Sequence, residues 1–207
     1  IWYEAKDLEI DGVRTAPVGL TENYLRGGVA PAAAVAIASA SLEEAAKPLW
    51  VLAAWGKWKG NLDNAVRWPW QEGEPFRRSA AKWAETAAAQ EAGVQRRSLA
   101  PLAWWRELAK YRFLLVPAGL GIQSSKTAEA LLVLTVPILR RVRGRAADDV
   151  RKLGFPIVVV DEWEDITAAR LRTWWQSLSL RLRSFRSNCL TTEAYWRLFT
   201  GEISYCE

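Results

Sequence analysis

Between an apolar run and a helical segment lies Val116-Pro117-Ala118-Gly119-Leu120-Gly121-Ile122-Gln123-Ser124-Ser125-Lys126, which gathers two glycines, two hydroxyls and a cation in close succession. Gly119 and Gly121 allow positive φ and a close approach of backbone to ligand. Ser124 and Ser125 add hydroxyl donors, and Lys126 places a cation beside the start of a helix. Such a group of donors can cradle a diphosphate. On chemistry alone a structural turn explains it equally well, because the third glycine of a dinucleotide fingerprint is missing and the glycine-lysine-Ser/Thr phosphate loop is not matched. Glu129 stands just inside the same helix. A carboxylate there is electrostatically favoured near the helix start, and it can also accept hydrogen bonds from the vicinal hydroxyls of a ribose.

Other chemistries are closed off by composition. The chain has no His, which excludes a serine-histidine triad, a histidine base or a histidine metal ligand within these residues. It has no Met and opens in mid-pattern with Ile1-Trp2-Tyr3, so we read it as an excerpt of a longer protein. The net charge of +5 is modest, and its densest run, Arg140-Arg141-Val142-Arg143-Gly144-Arg145, is either a solvated loop or an attractor of phosphates and anionic glycans. No nucleic-acid-binding signature is present. Cys189 and Cys206 have no CxxC spacing, and the pair either closes a disulfide in a secretory setting or remains as free thiols. No apolar stretch is long enough to span a bilayer and no signal peptide is visible, so any membrane anchor is expected upstream.

The elements that must position the turn follow from the apolar pattern. Residues 1–46 read as the tail of an upstream domain followed by an alanine-rich, partly helical linker. Residues 47–207 read as a single α/β domain. Leu49–Trp55, Phe113–Val116, Val136–Leu139 and Pro156–Val160 are short apolar runs suited to strands buried on both faces, and Val94–Arg97 is a further short strand. Between them the pattern predicts helices over Ser79–Ala92, Leu99–Tyr111, Thr127–Leu134 and Ala146–Leu153. Ser98 is expected as a cap, and Leu102, Trp105 and Leu108 as an apolar face. Repeated βαβ units with right-handed crossovers give one parallel, Rossmann-like sheet with helices on both faces. A long C-terminal helix capped by Thr167 then lays Leu171, Trp174, Trp175, Leu178, Leu182 and Phe185 on the core.

The segment from Tyr111 to Gln123, followed by Lys126-Thr127-Ala128-Glu129-Ala130-Leu131-Leu132 and Val136-Pro137-Ile138, resembles the donor-domain motif of the exostosin-like glycosyltransferases. In that motif a strand ends in proline and is followed by a Gly-x-Gly turn, a basic residue, a helix with Glu-Ala-Leu, and a strand that begins with proline. Phe155–Thr167, with its Asp161-Glu162-Trp163-Glu164 turn, is similar to the family's next strand. Pro48–Gly56 is more loosely similar to its first strand. Four positions depart from the motif: Ser125-Lys126 replace His-Arg, Ala128 replaces Trp, and Gln123 stands where Asp is common.

The resemblance implies the C-terminal half of a GT-B glycosyltransferase, usually inverting, that needs no metal or other cofactor. Its donor would be a nucleotide sugar, commonly a UDP-sugar, its acceptor a carbohydrate or glycoprotein, and its location the Golgi or secretory lumen. The nucleotide-sugar-binding set it implies is Gly56, Gly119, Gly121, Gln123, Ser125, Lys126 and Glu129. Lys126 falls near the phosphates and Glu129 at the ribose. No catalytic base can be assigned, since in this architecture the base usually belongs to the other domain. A non-catalytic sugar-nucleotide- or glycan-binding relative, and a basic module built on Arg140–Arg145, are the rival readings. Of the 13 tryptophans, Trp104-Trp105 and Trp174-Trp175 are expected in the core. Trp55, Trp58, Trp68 and Trp70 are better placed to meet a ligand.

Overall fold

A computed structural model describes residues 1–4, 6, 8–21, 25–55, 73–119, 121–142 and 144–207, with the backbone alone for 73–75. Five strands, β3 (Leu49–Ala53), β4 (Val94–Arg96), β5 (Tyr111–Val116), β6 (Val136–Arg140) and β7 (Val158–Val160), form a wholly parallel sheet in the order β4-β3-β5-β6-β7. A separate two-stranded parallel ribbon joins β1 (Trp2–Tyr3) to β2 (Arg14–Thr15). The protein is thus α/β with a Rossmann-like sheet flanked by helices, as the apolar runs predict. Val51, Leu52, Phe113, Leu114, Val136 and Ile138 have no solvent exposure. That completeness explains why these strands read as continuous apolar runs and not as alternating ones.

The crossovers are α2 (Gly73–Ala84) and α3 (Ala87–Glu91), α4 (Pro101–Leu108), α5 (Lys126–Leu132) and α6 (Ala146–Lys152). The chain changes its direction of march after β4. Right-handed crossovers therefore carry α2 and α3 over one face and α4, α5 and α6 over the other. The single helix expected over Ser79–Ala92 begins earlier and is broken in two. Thr86 breaks it by accepting a hydrogen bond from the Ala89 backbone N–H and starting a new helix. Gly93 ends α3 with φ +79°, the left-handed conformation expected of it. In α4 the cap is Ala100 and not Ser98, with Pro101 in the first turn. Leu102 also departs from expectation, being 58% exposed while Trp104 joins Trp105 and Leu108 in the core.

The alanine-rich segment is more ordered than a linker. It forms α1 (Val29–Ser39), which packs Val29, Ala33 and Ala36 into the same core as the sheet. At the other end, α7 (Ala168–Cys189), capped by Thr167, buries Leu171, Leu182 and Phe185 and half-buries Trp174, Trp175 and Leu178. α8 (Thr192–Thr200) follows, and the tail returns so that Cys206 forms a disulfide with Cys189. Gly154 sits beneath this tail with φ +98°, where any Cβ would collide with the Cys206 carbonyl.

The amino ends of the central strands are fastened by Lys47, which is fully buried. Its ammonium donates to Ala109 O at 2.9 Å and to Tyr111 O, Val133 O and Thr135 Oγ1 at 3.0 Å. Ala109 and Val133 are the C-caps of α4 and α5, so two helix dipoles point their negative ends at the cation. Burial nonetheless pulls the Lys47 amine down from 10.5 to about 7.

Two outcomes follow. Between pH 7 and 10.5 the unfolded chain holds a proton at Lys47 that the folded chain has released, so this group makes stability rise with pH, by at most about 1.4 kcal/mol per unit. Urea titrations across that window will show the rise in the native protein and its loss in Lys47→Met; parallel pH profiles would contradict it. The disulfide spans 17 residues, and Cys206→Ser will lower unfolding free energy by roughly 2–4 kcal/mol. An unchanged denaturation midpoint under non-reducing conditions would show that the bond contributes nothing.

Candidate functional site

The reversal in strand order falls between β3 and β5. In open parallel sheets a crevice forms outside the carboxyl ends of the strands at this point, because the loops on either side lead to opposite faces. At this end of the sheet stand the turn after β5, which contains Gly119 and Gly121, and the exit from β3 at Ala54 and Trp55. Gly56, Trp58, Trp68 and Trp70, all expected near a ligand, lie outside the described residues. Trp55 is half-buried, with the Arg96 guanidinium 4.8 Å from its ring centroid.

Gly119 is buried and does not adopt the left-handed conformation that motivated its selection. What it needs is space: a Cβ at this position would lie 2.9 Å from a terminal nitrogen of Arg77. Glycine here admits a guanidinium, carried by α2, against the turn. Gly121 is exposed, and a Cβ there would meet only Gln123 O at 3.6 Å, an ordinary contact. Arg77 was not legible as a site residue, since it lies in a helix far upstream and belongs to no local spacing. The same helix offers Ser79 Oγ, which accepts from Trp163 Nε1 at 3.2 Å and from Arg140 at 3.4 Å.

Lys126, Glu129 and Trp104 form a compact cluster where the first turns of α4 and α5 meet. Lys126 Nζ lies 2.7 Å from Glu129 Oε2 and 4.2 Å from the Trp104 ring centroid. Trp104 Nε1 donates to the same carboxylate oxygen at 2.5 Å, and Ser125 Oγ lies 3.4 Å from the other. Glu129 is 1% exposed, whereas the Lys126 side chain keeps 26%. The physical roles therefore separate. With both oxygens near protein donors and almost no exposed surface, Glu129 positions Lys126 and satisfies the Trp104 N–H. The Lys126 ammonium stays partly exposed at the carboxyl edge of the sheet. Ser125 is likewise buried and faces Glu129, while Ser124 Oγ accepts from the Lys126 backbone N–H at 3.3 Å.

Gln123, expected among the ligand-binding residues, makes three hydrogen bonds to the N-terminal segment. Its amide nitrogen donates to Glu4 O at 2.6 Å and Ala16 O at 2.8 Å, and its oxygen accepts from Val18 N at 3.2 Å. It ties the N-terminal segment to the turn and has little capacity left for a ligand.

The first two arginines of the basic run, at the end of β6, have acidic partners. Arg140 pairs with Glu162 at 2.5 Å and donates to Asp161 O at 3.0 Å. Arg141 pairs with Asp148 at 2.8 Å and with Asp161. The hydrogen bond from Arg141 holds the Asp148 carboxyl below its ordinary value, as expected for a partnered carboxylate. Compared with family models and with curated proteins, the chain matches no family model and no curated protein.

Since Glu129 organises this edge from within, Glu129→Ala will cost about 2 kcal/mol of stability by leaving the buried Trp104 N–H without its acceptor. Glu129→Gln, which keeps an acceptor, will cost less. Equal losses of under about 0.5 kcal/mol in chemical denaturation would contradict this positioning role.

Proposed function

We propose that this chain is the donor-binding half of a nucleotide-sugar-dependent glycosyltransferase. It would take a nucleotide sugar, most consistent with a UDP-sugar, at the carboxyl edge of the sheet and pass the sugar to a glycan or glycoprotein acceptor. The observation that carries the reading is that the Gly119–Lys126 turn lies at the strand-order reversal with two cations beside it, Arg77 from α2 and Lys126 from α5. The resemblance of Tyr111–Thr167 to the exostosin-like donor motif supports it.

In an inverting transfer the acceptor oxygen bonds to the sugar's anomeric carbon as the bond from that carbon to the diphosphate breaks. The acceptor proton passes to a base, and the electron pair leaves on the diphosphate. Cations fixed before the reaction favour that departure most, because they need not reorganise as charge develops. Arg77 offers a planar fork of donors suited to phosphate oxygens, and Lys126 a point charge held by Glu129 and Trp104. No described residue is assigned as the base. The Cys189–Cys206 disulfide fits the oxidising secretory lumen that the resemblance implies. Among the described residues no helix is long and apolar enough to cross a membrane.

One observation favours the second reading, a relative that binds sugar nucleotide without transferring it. The family's ribose position, Glu129, is occupied by protein partners. The compensated arginines around Arg140 weigh against a polyanion-binding module.

A thermal-shift series with UDP, GDP and their sugars tests the site. At a concentration of about 100 times Kd, the preferred nucleotide will raise the midpoint by roughly 5–10 °C. Arg77→Ala and Lys126→Ala will each diminish that shift. Absence of stabilisation by any nucleotide at millimolar concentration would remove the proposal. Stabilisation without donor turnover in the full protein would favour the second reading.

A further inference from the structure

A cavity lined by none of the proposed donor-site residues lies where the β1–β2 ribbon meets α6 and the C-terminal tail. It is an open cavity of about 330 Å³, within the size range of small-molecule sites, and its lining includes Trp2, Lys6, Arg14, Asp149, Lys152 and Leu153. Three of these are cations and one is an acid. Asp149 is already engaged: Thr15 Oγ1 donates to it at 2.7 Å, Lys6 Nζ lies at 3.6 Å and Lys152 Nζ at 4.0 Å. Lys6 is also held by Glu9 at 3.0 Å. Arg14 is different. Its guanidinium lies 5.6 Å from the Trp2 ring centroid and has no acidic partner among the described residues. The lining therefore carries surplus positive charge with planar and point-charge donors, beside the apolar surfaces of Trp2, Val13 and Leu153.

The walls are built rather than loosely apposed. Thr15 fastens the ribbon to α6 through Asp149, and Trp2 Nε1 donates to Phe199 O at 3.0 Å. The tail that supplies Ser204 is held by the Cys189–Cys206 disulfide and by Cys206 N, which donates to Leu153 O at 2.9 Å. We infer that this cavity is a binding site for a phosphate or sulfate monoester of a small organic alcohol, with the oxyanion at Arg14 and Lys152 and the organic part against Trp2, Val13 and Leu153. A guanidinium and an ammonium recognise such an oxyanion through charge-assisted hydrogen bonds. The cavity is larger than a lone oxyanion needs, and its apolar lining suits a carbon skeleton. The inference does not depend on the donor site.

NMR titration of the full chain with glucose 6-phosphate, glucose 6-sulfate, inorganic phosphate and glucose tests it, read at the Trp2 indole N–H. A charged ester will bind more tightly than about 1 mM, glucose will not bind, and Arg14→Gln and Lys152→Gln will each weaken the ester by about tenfold or more. Both residues are solvent-exposed, so unchanged thermal midpoints will show that the variants fold. Ester binding will persist in Arg77→Ala and will not be displaced by UDP. Inorganic phosphate binding as tightly as the esters would overturn the organic half of the inference. No binding, binding indifferent to Arg14→Gln, or displacement by UDP would overturn it entirely.

Discussion

The cage of four oxygens around the Lys47 ammonium is the constraint on which the arrangement depends. A buried cation without a carboxylate is costly. Here the cost is only partly offset, by the last carbonyls of α4 and α5, the first carbonyl of β5 and the Thr135 hydroxyl, and the amine gives up its proton far more readily than in water. Thr135 Oγ1 in turn donates to Tyr111 O at 2.8 Å, and Arg112 Nε donates to Lys47 O at 3.1 Å. One side chain thereby holds the starts of β3, β5 and β6 and the ends of the two helices between them. With the amino ends fixed, the opposite ends of the same strands and the starts of the same helices are fixed too. The crevice at the carboxyl edge is the far side of this arrangement.

At that far side polar groups are placed by burial as much as by sequence neighbourhood. Glu129 brings Lys126 and Trp104 together from two helices, and the absent side chain of Gly119 admits Arg77 from a third. Gln123 stitches the N-terminal segment beneath the turn, so residues before β3 contribute to the support of the site. A charge held this way is already oriented before any ligand arrives, which is what stabilisation of a departing diphosphate requires.

Much of the framework was legible because it obeys local rules. Continuous apolar runs located β3, β5 and β6, and Gly93 and Thr167 marked helix boundaries correctly. What was missed depends on distant partners. Leu102 fits the apolar stripe of α4, yet the neighbouring Trp104 is drawn inward by the Glu129 carboxylate. Ala30–Ala46 has too little side-chain information to distinguish a linker from a packed helix, and contact with α4 decides it. Gln123 and Glu129 carry the right chemistry for a ligand, but they also have protein partners that include residues as distant as Trp104 for Glu129 and Glu4 for Gln123. Lys47 gave no local signal at all, because four oxygens from separate elements create its site.

In the proposed donor site the turn after β5 would hold a diphosphate between Arg77 and Lys126. A crystal structure of the chain bound to UDP tests this most directly. Diphosphate oxygens are expected within about 3.5 Å of the Arg77 guanidinium, the Lys126 ammonium and a backbone N–H of the turn. UDP bound elsewhere on the molecule, with that turn contacting only protein and water, would contradict it.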